Sequence, residues 1–109
     1  MSELLSEKLY LAKKEWASLD KAASFLEEIK KSILGGLVEE FKKEDPKISI
    51  AMAEHKAYAS KDFKEHIALM TAAREKAHIQ FGVVEGVRIR IDEEKSRQIR
   101  EAVEMKYSE

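Results

Sequence analysis

From Ser60 to Met105 the chain has no proline, and apolar or small residues return mostly every three or four positions. They are Phe63, His66, Met70, Ala73, Ala77, Phe81, Val84, Val87, Ile91 and Ala102. That spacing keeps them on one slowly drifting stripe of a helix. The residues between are mainly Ala, Glu, Lys, Met and Arg, which form helices readily. Ser60, with Asp62 just inside, fits an N-cap. A helix over about 60–105 would be roughly 65 Å long at about 1.5 Å per residue. It outspans any small globular core, so it needs a long partner.

The partner lies at the other end of the chain. Leu5, Leu9, Ala12, Trp16, Leu19, Ala23 and Leu26 alternate four and three apart, a heptad seam of about three repeats. Ile29, Ile33, Leu37 and Phe41 continue it with altered gaps, so supercoiling should relax there. The spacing predicts a first long helix over about 2–44. Trp16 packs in the seam with its indole N–H reaching a polar neighbour. Gly35-Gly36 could end this helix, kink it or let a backbone approach. Leu37 and Phe41 keep the period, which favours continuation. Neither a preceding strand nor a Lys-Ser or Lys-Thr follow-up marks a phosphate loop there.

Asp45-Pro46 is the clearest break. Asp45 can cap and Pro46 suits the first turn of a helix, so the chain should reverse at 44–47 and re-enter a short helix over about 48–59. Ser60 then opens the long helix, unless the two run on with a kink. The expected architecture is all-α: a long antiparallel, coiled-coil-like helical hairpin with a short helix or kink near the turn. A two-helix hairpin has little interior per residue, so copies should assemble into an oligomeric bundle. The expected seam residues for hairpin and oligomer are Leu9, Trp16, Leu19, Leu26, Met70, Val84 and Ile91. A second strip, Ala68, Ala72, Ile79, Val83 and Gly86, lies roughly 120° from the main stripe at 100° per residue and suits a partner outside the chain.

Phe81 to Ile91 competes with this reading. It is β-branched, holds Gly82 and Gly86, and alternates Val87, Ile89 and Ile91 with arginines, as a strand would. A β-hairpin turning at Glu85-Gly86 is the alternative. Helix is preferred, because a lone two-stranded hairpin is marginally stable and no other strand is in sight.

Composition narrows the functional classes. Charged residues make up 38% of the 109 and proline occurs once, which suits solvated helices in one domain. Cysteine is absent, so a disulfide framework and thiol chemistry are excluded, and a cytoplasmic setting is expected. The start, Met1 to Glu7, is acidic, and no apolar run approaches about 18 residues, so neither a signal peptide nor a membrane span is read. A net charge of −1 argues against a polycation steered to nucleic acid as a whole. The arginines are nevertheless concentrated: Arg74, Arg88, Arg90, Arg97 and Arg100 all fall in the second half. On a helix, Arg90, Arg97 and Arg100 share neighbouring angles. Together with Arg88 they are the candidate contact for a nucleic-acid backbone. Asp92, Glu93, Glu94 and Glu101 interleave with them, so an ion-paired, solvated face is the plainer reading.

A catalytic constellation is not found. His55, His66 and His78 are too far apart along a helix to share one metal, and zinc sets that use cysteine fail. His66 sits one turn after Asp62, so a local carboxylate–imidazole contact is expected. Neither Glu54 nor Glu65 begins the Glu-x-x-His spacing of a di-iron bundle. A Gly-x-Ser-x-Gly turn for a serine nucleophile is also missing. The expectation is no enzyme, no metal, no cofactor and no small-molecule substrate.

The order of residues does resemble a known group. Trp16 and Leu19 in a first helix are followed by Ser49-Ile50-Ala51-Met52-Ala53-Glu54, then Ala59-Ser60, Phe63, His66, Met70 and Ala73-Arg74-Glu75-Lys76-Ala77, with Glu94 and Ser96-Arg97 before a charged end. This resembles small helical proteins of bacteriophages and prophages, often encoded beside recombination genes. It is also distantly similar to the T-even phage recombination mediators, oligomeric loaders of recombinase onto single-stranded DNA. The likeness spans most of the chain and departs from the helical pattern at Phe81–Ile91. It implies an oligomeric accessory protein in the host cytosol, with single-stranded DNA and a recombination or replication protein as candidate partners. The competing expectation is a structural coiled-coil scaffold that never touches nucleic acid. Either way, Leu19→Asp should abolish assembly, because a charge in the seam costs several kcal/mol. Unchanged mass and helicity in that variant would contradict the placement of the seam.

Overall fold

The computed structural model describes residues 2–108. It is an all-α helical hairpin with helices α1 (Ser2–Glu28), α2 (Lys30–Glu44), α3 (Ile50–Ala59) and α4 (Lys61–Ser108). Among the described residues no strand forms, and 81–91 are helical throughout. The β-branched run follows the helical period: Val84 and Val87 are buried while Val83 and Ile89 are exposed. Strand propensity gives way because no other strand offers its hydrogen bonds.

The chain divides into two compact units. One joins Met1–Ser18 to Ala77–Glu109. Here α1 and α4 run antiparallel. Trp16 lies tilted against Phe81 with ring centroids 5.9 Å apart, and Gln80 Nε2 donates to the Ala12 carbonyl at 3.1 Å. Ala12, Ala77, Val84 and Val87 are buried, with Leu5, Leu9, Trp16 and Ile91 half-buried around them. Phe81, expected on the stripe, stays largely exposed, and so does Ala102. From Lys95 to Ser108 every residue of α4 is exposed, so this unit leaves the last turns of the helix without cover.

The other unit is Leu19–Lys76. Its core is Leu37, Ala57 and Phe63, with Ile33, Leu34, Val38, Phe41 and Ile67 packed against them. Tyr58 meets Phe63 edge-on at 5.3 Å, an arrangement that aromatic quadrupoles favour. Ala53 and Ala57 are fully buried, and their small side chains let α3 lie close to its neighbours. Leu19, Leu26, Met70 and Ala73 are half-buried, and Ala23 is fully buried. Gly35-Gly36 does not end α2; the helix runs on to Glu44 and places Leu37 in the core.

The turns differ from the sequence reading in detail. Asp45 does not start a helix. It closes α2, its N–H bonded to the Phe41 carbonyl, and its Oδ1 accepts from the Lys47 N–H at 3.1 Å. Pro46 sits in the turn itself rather than in the first turn of α3. Ser49 is the N-cap of α3, its Oγ accepting from Met52 N–H at 3.1 Å. Asp45 satisfies the turn through an Asx-type bond, so the cap moves to the next short polar residue. Ser60 serves two helices. Its hydroxyl donates to the Ala57 carbonyl at the end of α3 (2.7 Å) and accepts from Phe63 N–H at the start of α4 (3.2 Å). Its extended backbone makes a break there rather than a kinked run-on.

Phe63 carries most of the second unit's core. Phe63→Ala should cost about 3–5 kcal/mol in urea unfolding, whereas Tyr58→Ala, removing an exposed ring, should cost far less. Equal losses would mean that the core is centred elsewhere.

Candidate functional site

Two polar assemblies and one arginine face stand out. The first assembly is built on Arg74. Asp20, Ser24 and Glu27 lie four and three residues apart on α1, which aligns them on one side of that helix beside the seam. Arg74 reaches across from α4. Its Nη1 donates to Asp20 Oδ1 at 2.7 Å, Nη2 donates to Glu27 Oε1 at 2.7 Å and to Ser24 Oγ at 3.3 Å, and Nε donates to Glu27 Oε2 at 3.0 Å. The pairing with Glu27 is bidentate, which suits the planar guanidinium fork. Its side chain is 28% exposed. The hydrogen bonds to Glu27, then to Asp20, raise the Arg74 pKa further above its ordinary value, so the clamp holds its cation throughout the folded range.

The second assembly is His66. The imidazole is buried, and Nε2 lies 2.9 Å from the Leu26 carbonyl. A carbonyl can only accept, so Nε2 carries the proton. The expected contact with Asp62 is not the bond it makes. Leu26 lies just before Ile29, where the first long helix is interrupted. Around that point the backbone ladder runs through Ile29 N–H to Phe25 O and Ile33 N–H to Ile29 O. Ile29 itself keeps a helical backbone, so the expected 2–44 helix divides into α1 and α2 at a single residue, close to the carbonyl that His66 engages.

The sequence-predicted arginines separate into pairs and free cations. Arg88 bonds Glu85 one turn back at 3.0 Å. Arg97 bonds Glu94 at 2.6 Å and lies 4.0 Å from Glu101. The hydrogen bond to Glu94, then the charges of Glu94 and Glu101, raise its pKa. Among the described residues Arg90 and Arg100 form no ion pair. Arg90, Arg97 and Arg100 line one shallow surface depression with Leu5, Glu93 and Glu94, while Arg88 lies outside it. Of the predicted seam residues, Val84 is buried and Leu9, Trp16, Leu19, Leu26, Met70 and Ile91 are half-buried.

Among the described residues no group of His, Cys, Asp or Glu is placed to hold a metal ion, no buried side-chain polar atom lacks a partner, and no helix is long and apolar enough to cross a membrane. Sequence reasoning missed the Arg74 clamp. The signal was present as the Asp20, Ser24, Glu27 spacing along the edge of the heptad seam, a row of acceptors awaiting a cation.

No family model matches this chain, and no curated protein or solved structure matches it.

The two kinds of arginine should behave differently. Arg74→Gln should lower the thermal midpoint, with the deficit shrinking at high salt. Arg88→Gln, which breaks an exposed pair within one helix, should leave the midpoint nearly unchanged. Equal midpoints for the two variants would show that the clamp does not hold the unit together.

Proposed function

We propose that this chain is a non-catalytic accessory protein that assembles with copies of itself through exposed helix faces. The observation that carries this reading is the distribution of apolar residues. The deepest interior positions are small: Ala23, Ala53 and Ala57 are fully buried and Ala77 nearly so. Large side chains, among them Leu4, Leu11, Ile79, Ile89, Ile99 and Met105, remain exposed. Ala68, Ala72, Val83 and Gly86, the rest of the second strip read from the sequence with Ile79, are exposed too. A chain that leaves so many large apolar groups outside gains by covering them with another surface.

The arginine face supports a nucleic-acid role for the assembly. Arg90 and Arg100 carry no internal counter-ion among the described residues and flank a shallow depression. That leaves them available to phosphates, where affinity comes from counter-ion release. The resemblance to phage and prophage recombination accessories fits this reading, with single-stranded DNA and a recombination or replication protein as partners. The cytosol of a host bacterium is the proposed compartment.

Sedimentation over a concentration series should show a mass above that of the 12.5 kDa chain; a monomer at every concentration removes the assembly reading. In gel shifts, single-stranded DNA should be retarded at low salt and released as salt rises. Arg90→Glu with Arg100→Glu should abolish that shift without changing the mass. An oligomer that ignores DNA even at low salt is a scaffold, and the nucleic-acid part then fails alone.

A further inference from the structure

The uncovered end of α4 has a pattern of its own. Residues 95–108 are helical, yet every one of them is exposed. An isolated helix of about 12–15 residues is marginal in water, and this one also shows Ile99 (65% exposed) and Val103 (48%) one turn apart. At about 100° per residue, Asp92, Lys95, Ser96, Ala102, Val103 and Lys106 fall within about 60° of Ile99. Arg90 and Arg97 point roughly the opposite way, about 160–180° around the helix.

We propose that this face pairs antiparallel with the same face of a second copy, about a two-fold axis at Ile99. The proposal rests on the self-assembly reading and adds the surface and the orientation. In that register Ile99 meets Ile99 of the second copy. Ser96 faces Ala102, two small residues that allow close approach. Lys95 faces Val103, where its aliphatic stem can lie over the methyls while its ammonium reaches water. Asp92 faces Lys106, and symmetry makes that pair twice. Among the described residues neither Asp92 nor Lys106 forms an ion pair. The charges select the orientation: a parallel pair would set Asp92 on Asp92, Lys95 on Lys95 and Lys106 on Lys106. An isologous contact is the arrangement in which one self-complementary patch suffices for both subunits, and opposite charges across it fix register. The arginine depression remains open on the far side.

The chain has no cysteine, so cross-linking can map the contact. Under mild oxidation Ile99→Cys should form a covalent dimer. Asp92→Cys and Lys106→Cys should each cross-link poorly alone and readily when the two are mixed. In sedimentation, Lys106→Glu should weaken self-association by about tenfold or more, and adding Asp92→Lys to it should restore association. Self-cross-linking of Asp92→Cys or Lys106→Cys in excess of the mixture would overturn the antiparallel register. No cross-link at any of the three positions, in protein that sediments as an oligomer, would place the interface on another face and overturn this inference alone. A monomer at every concentration would instead remove the assembly reading beneath it.

Discussion

Burial along a single stripe per helix is the constraint from which the other features follow. A helix paired with one other helix can hide about a third of its circumference, and the residues best hidden are those closest to the partner's axis. In this chain most of those positions are held by alanine (Ala12, Ala23, Ala53, Ala57 and Ala77), with Leu37, Phe63, Val84 and Val87 the larger exceptions, while Leu5, Leu9, Trp16, Leu19 and Leu26 flank them half-covered. Alanine at the contact brings the helices close. It also limits the apolar area removed from water, so hydrophobic stabilisation per residue is modest. The larger side chains are then left to whatever surface comes next.

With a thin apolar seam, polar contacts have more to do in fixing register. A heptad seam tolerates a slip of one full repeat, since every layer looks much like the next. Arg74 does not tolerate it. Its fork matches Asp20, Ser24 and Glu27 in one setting, and a slip would part the cation from both carboxylates. His66 adds a second fixed point by holding the Leu26 carbonyl from a buried position. Gln80, bonded to the Ala12 carbonyl, does the same in the other unit. These bonds contribute specificity as much as stability, because an alternative pairing would bury the same groups unsatisfied.

The distribution of charge follows the same logic outward. Acidic residues pair with Arg88 and Arg97 within α4, so these charges offset one another locally. Arg90 and Arg100 stand outside that pairing among the described residues. A surface that is neutral on average but has unpaired cations at two points binds a polyanion weakly and salt-dependently, unless several copies present the same points together. On the reading proposed above, assembly would multiply such a contact by presenting several copies of it together.

The amino-acid sequence alone determined what depends on neighbours along the chain. The four-three alternation of Leu5 to Leu26, the unbroken period through Val84, Val87 and Ile91, the stop at Pro46 and the cap at Ser60 are local properties, and they specify helices and the faces that turn inward. They also outweighed the β-branched run at 81–91, because no second strand existed to reward it. Only the tertiary structure decided which polar groups meet. The Arg74 clamp joins residues about fifty positions apart, and the His66–Leu26 bond joins residues forty apart. The transfer of the cap from Asp45 to Ser49 belongs here as well. Periodicity records which side of a helix is buried, but not how far one helix has slid along another, and hydrogen bonds between distant side chains exist at only one such setting.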